Sequence, residues 1–89
     1  MAAIELYDNF NFDGGAIYAT DISQPDLGGA ARRTSALVIY QGTWNLYPET
    51  NYQGTPVQLA ATNQALRISN VQSIGIGNDS ICSIFRLDT

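Results

Sequence analysis

Apolar and polar residues alternate along several short segments of the chain. Three segments carry an apolar residue at every second position, in the pairs Leu37 and Ile39, Val57 and Leu59, and Phe85 and Leu87. A period of two is typical of a β-strand with one buried face, whereas an amphipathic helix repeats about every 3.6 residues. The pattern therefore predicts short strands rather than helices.

Turn-forming residues separate these alternating segments. Glycines, alone or with proline, occur at positions 14–15, 25–29, 42, 54 and 75–77. Glycine accepts the positive φ angles that tight turns require. About eight short strands fit between the turns, and one helical turn is predicted at residues 64–67. We therefore predict an all-β domain.

The chain also contains an internal repeat. Residues 5–14 read Glu-Leu-Tyr-Asp-Asn-Phe-Asn-Phe-Asp-Gly, and residues 45–54 read Asn-Leu-Tyr-Pro-Glu-Thr-Asn-Tyr-Gln-Gly. A second similarity aligns residues 34–39 with residues 82–87, each a small residue, a serine and an alternating segment. Because neither unit could bury its apolar face alone, we predict one domain over residues 1–89. It would be a β-sandwich of two four-stranded Greek keys, at about 3–42 and 43–89.

Composition limits the possible functions. The chain has 89 residues, with eight Asp and Glu against four Lys and Arg, no His and a net charge of -4. An acidic surface repels phosphate backbones, so we expect no nucleic-acid partner. No apolar run approaches the ~18–20 residues of a membrane span. Cys82 is the single cysteine, and without His to activate it we expect a buried structural thiol and no enzyme activity.

One spacing pattern, which occurs twice in the chain, resembles that of a known family. The repeat reads Tyr-x-x-x-x-aromatic-x-Gly, in the copies Tyr7, Phe12, Gly14 and Tyr47, Tyr52, Gly54. This resembles the folded hairpin that begins each Greek key of a βγ-crystallin, in which the two aromatic rings pack together. Ser35 and Ser83 are similar to the family serine that hydrogen-bonds onto the hairpin, and Trp44 to a core anchor between the halves. The resemblance covers roughly residues 4–87 and is strongest to single-domain microbial members.

The resemblance implies calcium binding. Microbial βγ-crystallins carry Asn/Asp-Asn/Asp-x-x-Ser/Thr-Ser in each unit. Side-chain oxygen from one loop joins the Ser/Thr hydroxyl of the other, and backbone carbonyls of the hairpins complete the shell with water. Calcium suits such a shell because it is a hard cation that takes about six to eight oxygen ligands.

The sequence departs from this pattern in both units. Residues 78–83 read Asn-Asp-Ser-Ile-Cys-Ser, with a thiol at the hydroxyl position, and residues 30–35 read Ala-Ala-Arg-Arg-Thr-Ser, without the acidic pair. In this alignment Asp79 pairs with Thr34 in one site, and Ala31 pairs with Cys82 in the other. We therefore expect at most one weak calcium site. The predicted metal ligands are Asp79, Thr34 and Asn78, with the backbone carbonyls of Asp8 and Pro48.

Arg33 aligns with Ile81 in this scheme, where the family usually has a buried aliphatic residue. Its guanidinium could supply positive charge and hydrogen-bond donors in place of the ion. Alternatively, Arg32 and Arg33 lie in solvent at a loop tip. Both interpretations stay open at the level of sequence.

Two functions are compatible with these observations. The first is a structural domain with degenerate calcium-binding motifs, either weakly calcium-responsive or calcium-independent. The second is an interaction module on the same fold, such as a proteinase inhibitor or ligand-binding domain, with residues 60–76 as the candidate loop. We expect a monomer or a module of a larger protein.

Overall fold

The computed structural model describes residues 2–88, which form two antiparallel β-sheets. The strands are β1 (Ile4–Tyr7), β2 (Tyr18–Thr20), β3 (Ala36–Ile39), β4 (Gly42–Tyr47), β5 (Val57–Ala61), β6 (Leu66–Ile68) and β7 (Ser83–Arg86). Short 3-10 helices lie at Phe10–Phe12, Gly28–Ala30, Thr50–Tyr52 and Val71–Ile74. Over residues 2–88, no helix has the length and apolar character needed to cross a membrane.

The two halves of the chain exchange segments between the sheets. One sheet has the order β2-β1-β3-β6 and the other β5-β4-β7, so β6 of the second half pairs with β3 of the first. In the equivalent place, Gln24 of the first half bridges Ile84 of β7, with N–O distances of 2.8 and 3.0 Å. This arrangement confirms the predicted Greek-key sandwich. Eight strands were predicted. Residues 2–88 form seven strands, and the Gln24–Ile84 bridge takes the place of the eighth.

Side chains from the inner faces of both sheets form one core. Its buried members include Ile4, Leu6, Leu37, Ile39, Trp44, Leu46 and Ile84. Trp44 has no exposed surface, and its Nε1 donates to the carbonyl of Gln41 at 2.9 Å. A buried indole is stable when its N–H has an acceptor. Trp44 is therefore the core anchor that the sequence predicted.

The helical turn predicted at residues 64–67 is wrong. Strand β6 occupies Leu66–Ile68 and pairs with β3, with Leu37 opposite Ile68. Pairing with a buried neighbour outweighs the weak helical preference of so short a segment. The helical turn lies further on, at Val71–Ile74, where the Asn70 side chain accepts from the N–H of Gln72.

Phe85 and Leu87 do not face the core as Leu37 and Ile39 do. Ile84 is fully buried, whereas Phe85 is 38% and Leu87 45% exposed. Because successive side chains of a strand point to opposite faces, a shift of one residue in the alignment exchanges the two faces. The predicted correspondence between these two segments was therefore wrong by one residue.

Candidate functional site

The two predicted hairpins are present with their aromatic pairs packed edge to face. The ring centroids are 5.2 Å apart for Tyr7 and Phe12, and 5.8 Å apart for Tyr47 and Tyr52. Burial raises the pKa of Tyr7 to about 12, and its hydrogen bond to the Glu5 carboxylate adds to this effect. The Tyr7 phenol therefore stays protonated and keeps its bond to Glu5.

The hairpins also share backbone angles. Asn11 and Asn51 have φ angles of 58° and 57°, and the glycines that end the motifs, Gly14 and Gly54, have φ angles of 79° and 86°. This left-handed region favours glycine because it has no Cβ. The spacing of the repeat thus encodes the same turn twice.

The two serines assigned to the hairpins behave differently. The Ser83 hydroxyl donates to the Glu49 carbonyl at 2.6 Å and accepts from the N–H of Tyr52 at 3.1 Å. This confirms the predicted role of Ser83. The Ser35 hydroxyl instead donates to Oδ1 of Asp79 at 3.3 Å, so the same role predicted for Ser35 is wrong.

Backbone hydrogen bonds show which residues correspond between the halves. The Ser35 N–H donates to the Tyr7 carbonyl at 2.7 Å, and the Cys82 N–H donates to the Tyr47 carbonyl at 2.9 Å. Since the two tyrosines begin the two hairpins, Ser35 corresponds to Cys82. The alignment that matched serine with serine was wrong by one residue.

The loops before these residues confirm the corrected alignment. Asp79 has a φ angle of 59° and donates its N–H to the Thr34 carbonyl at 3.1 Å. Arg32 has a φ angle of 60° and donates its N–H to the Ile81 carbonyl at 2.9 Å. Arg32, rather than Ala31, therefore holds the place that Asp79 holds in the other half.

Thr34 takes the place of Ile81, and both side chains are buried. Over the described residues, the Thr34 hydroxyl has no hydrogen-bond partner. The hydroxyl that reaches Asp79 belongs to Ser35. The predicted pairing of Asp79 with the Thr34 side chain is thus replaced by a pairing with Ser35.

Arg33 corresponds to Ser80 rather than to Ile81. Its Nη2 lies 2.8 Å from Oδ2 of Asp8, and its Nη1 donates to the Gly29 carbonyl at 3.3 Å. Its side chain is 51% exposed. Arg33 therefore contacts a loop carbonyl and a hairpin carboxylate while remaining half in solvent, which combines parts of both interpretations.

The remaining predicted ligands lie around the same loops. Asn78 is exposed and its Nδ2 donates to Oδ2 of Asp79 at 3.4 Å. Asp8 and Pro48 each follow the hairpin tyrosine whose carbonyl accepts a hydrogen bond from the loop of the same half. Pro48 also lines a cavity of about 100 Å³ under the second hairpin.

The two loop pairs differ in their capacity to hold calcium. The Asp79 carboxylate and the Ser35 hydroxyl adjoin one another and offer hard oxygen ligands, so this pair fits the ion. The other pair offers the Arg32 guanidinium and the buried Cys82 thiol, which do not fit a hard cation. Within residues 2–88, no three His, Cys, Asp or Glu side chains form a metal-binding group.

Two similar halves that exchange strands and face each other through paired loops define a double Greek-key β-sandwich. The Beta/Gamma crystallin family model matches residues 3–87. The chain belongs to this family. No curated protein sequence matches it.

Solved structures share this fold. A betagamma-crystallin from an archaeon is 29% identical with a TM-score of 0.84, over 97% of this chain and 98% of that one. A crystallin from Ciona intestinalis is 23% identical with a TM-score of 0.83, over 94% and 98%. Geodin from Geodia cydonium is 28% identical with a TM-score of 0.77, over 97% of this chain and 49% of that one.

Proposed function

We propose that this chain is a non-enzymatic structural domain with one weak calcium site, formed between Asp79 and Ser35. The observation that supports the proposal is the 3.3 Å contact between Oγ of Ser35 and Oδ1 of Asp79, which joins the two halves. In the symmetry-related pair, Arg32 and Cys82 replace both oxygen ligands. The second site is therefore lost.

The proposed site should be weak for electrostatic reasons. One carboxylate is the low end of ligand charge for calcium, and we expect a Kd of ~0.1–1 mM. Arg33 also forms an ion pair with the Asp8 side chain. Its positive charge would therefore lie near the Asp8 backbone carbonyl, which is one of the predicted calcium ligands. Binding would still stabilise the fold, because Ser35 and Asp79 lie in different halves of the chain.

Calcium should raise the melting temperature of the unmodified protein, and Ser35→Ala and Asp79→Ala should each abolish this effect. Saturation at ~100 times the Kd corresponds to about 2.7 kcal/mol of stabilisation. Thermal melting at increasing calcium, with magnesium as the control ion, measures the shift. Calorimetry should give one site per chain.

Thr34→Val is the matched control, because it changes the neighbouring hydroxyl by one isosteric substitution. It should keep the calcium response and raise stability without calcium by about 1 kcal/mol, since a buried hydroxyl without a partner is removed. A response lost in Thr34→Val and kept in Ser35→Ala would contradict the proposed ligand pair. No response at ~10 mM calcium would make the domain purely structural.

Arg33→Ala should slightly lower stability in the absence of calcium and strengthen calcium binding. The ion pair with Asp8 is solvent-exposed and contributes about 0.2–1 kcal/mol, equivalent to a few degrees in a domain of this size. Removing the guanidinium also removes a positive charge near the proposed site. Melting curves with and without calcium test both effects.

Arg32→Ala is the control for total charge, because it removes the same charge from the other loop pair. Equal effects of the two substitutions on calcium affinity would show that Arg33 acts only through net charge.

The alternative of a proteinase inhibitor has little structural support. Residues 60–76 include the end of β5, all of β6 and the 3-10 helix at Val71–Ile74. They do not form the long exposed loop expected of a substrate-like segment. A protease panel would test this hypothesis directly.

A further inference from the structure

The sheet edges of this domain are unequally protected. Strand edges present unpaired backbone N–H and C=O groups that can pair with another chain, and proteins block them with charges, short strands or covering segments. Edge strand β2 has three residues and is followed by Asp21. Edge strand β6 has three residues with the exposed Arg67 at its centre. The outer edge of β7 is covered, because Gln24 bridges Ile84.

Strand β5 lacks each of these protections. It is five residues long, and its pattern alternates between half-buried and exposed side chains. Residues 50–66 contain no charged residue, although the chain has a net charge of -4. Over the described residues, the backbone of Val57–Ala61 makes no backbone hydrogen bond other than those in its ladder with β4. β4 occupies one side of β5, and among residues 2–88 no strand pairs with its other side.

We propose that β5 is a self-association edge, at which two copies of this chain pair antiparallel with Leu59 opposite Leu59 of the second copy. This register places Gln58 opposite Ala60 of the second copy on the outer face. On the inner face, Val57 lies opposite Ala61, which extends the apolar layer between the sheets across the junction. The strand is self-complementary in this register, because no like charges meet.

A second copy fits this edge better than an unrelated partner does. Two acidic domains would repel each other at most surfaces, and β5 lies within the longest uncharged stretch of the chain. Antiparallel pairing about a two-fold axis also brings together the same edge of both copies, so that neither β5 edge stays open. Since the other edges are short, charged or covered, assembly should stop at the dimer.

The contact is small, so the dimer should be weak. A five-residue strand pair lies below the ~1,200 Å² typical of stable interfaces. The monomer expected from the sequence should therefore prevail in dilute solution, with the dimer appearing as concentration approaches ~1 mM. The amides of Val57–Ala61 that point away from β4 should then exchange more slowly with deuterium than in dilute protein.

Paired charge variants test the register. Gln58 and Ala60 are exposed, and their neighbours on β4 are the uncharged Asn45 and Thr43, so substitutions there should be tolerated. Q58K/A60K places Lys opposite Lys of the second copy and should abolish the dimer. Q58K/A60E places Lys opposite Glu and should strengthen it at least several-fold.

Sedimentation equilibrium over a range of protein concentrations measures all three proteins, and melting curves check that they are folded. A wild-type protein that is monomeric at ~1 mM would overturn the proposal. So would a dimer that tolerates Q58K/A60K, or assembly into larger oligomers.

Discussion

Gly54→Val should lower the free energy of unfolding by about 3 kcal/mol or more, as the sum of two effects. Gly54 has a φ angle of 86°, where a β-branched residue is strained by ~1–3 kcal/mol. A Cβ at this position would also lie 2.7 Å from Cγ of Pro48, a ring that cannot turn away. Overpacking of this kind costs ~1–3 kcal/mol. Urea unfolding followed by the fluorescence of the buried Trp44 measures the loss.

Gly15→Val is the matched control for Gly54→Val. Gly15 has a φ angle of 81°, but a Cβ there would meet no atom within 4 Å. It should therefore show the backbone strain without the overlap. If Gly54→Val lowers the free energy of unfolding no more than Gly15→Val does, the Pro48 contact is not a cause. If Gly54→Val lowers it by less than ~0.5 kcal/mol, the assignment of a strained turn at Gly54 is wrong.

The hairpins could be predicted from sequence because local geometry determines their pattern. An aromatic pair five positions apart, closed by glycine and present in two copies, carried the resemblance to the βγ-crystallin hairpin, and that resemblance implied the turn. Trp44 was predictable for a similar reason, since its place between the two halves matches the core anchor that the family resemblance implies. Neither prediction depended on long-range pairing.

The loop alignment could not be predicted in the same way. Ser35 and Ser83 share a residue type, but their positions follow from the ladders, in which Tyr7 lies opposite Ala36 and Tyr47 opposite Ser83. The hydrophobic pattern held a usable signal, because matching Leu37 with Ile84 keeps two buried aliphatics on the same face. The alignment followed the shared serine, Ser35 and Ser83, instead of this hydrophobic signal.

This correction changes which substitutions should create a second calcium site. Sequence alignment alone selects Ala31→Asp with Cys82→Ser, whereas the structure selects Arg32→Asp with Cys82→Ser. Arg32 shares the φ angle of Asp79, and its N–H makes the equivalent backbone bond. Aspartate is also more frequent than arginine in this left-handed region. The substituted loop should therefore keep its conformation.

Cys82→Ser alone should lower stability by about 1 kcal/mol, because it replaces a buried thiol with a more polar hydroxyl that must be desolvated. Adding Arg32→Asp should recover this loss even without calcium, since the new carboxylate would accept from Ser at 82 as Asp79 accepts from Ser35. With calcium, Arg32→Asp/Cys82→Ser should bind two ions per chain and gain up to about 2.7 kcal/mol more than the unmodified protein at ~100 times the second Kd.

Calorimetry and melting of both double variants decide between the two alignments. Ala31→Asp/Cys82→Ser should stay at one ion per chain, because residue 31 lies one position before the place that corresponds to Asp79. Two ions in that variant and one in Arg32→Asp/Cys82→Ser would overturn the corrected alignment. One ion in both would show that the remaining carbonyls of the second loop pair cannot complete a calcium shell, even when the side-chain ligands are restored.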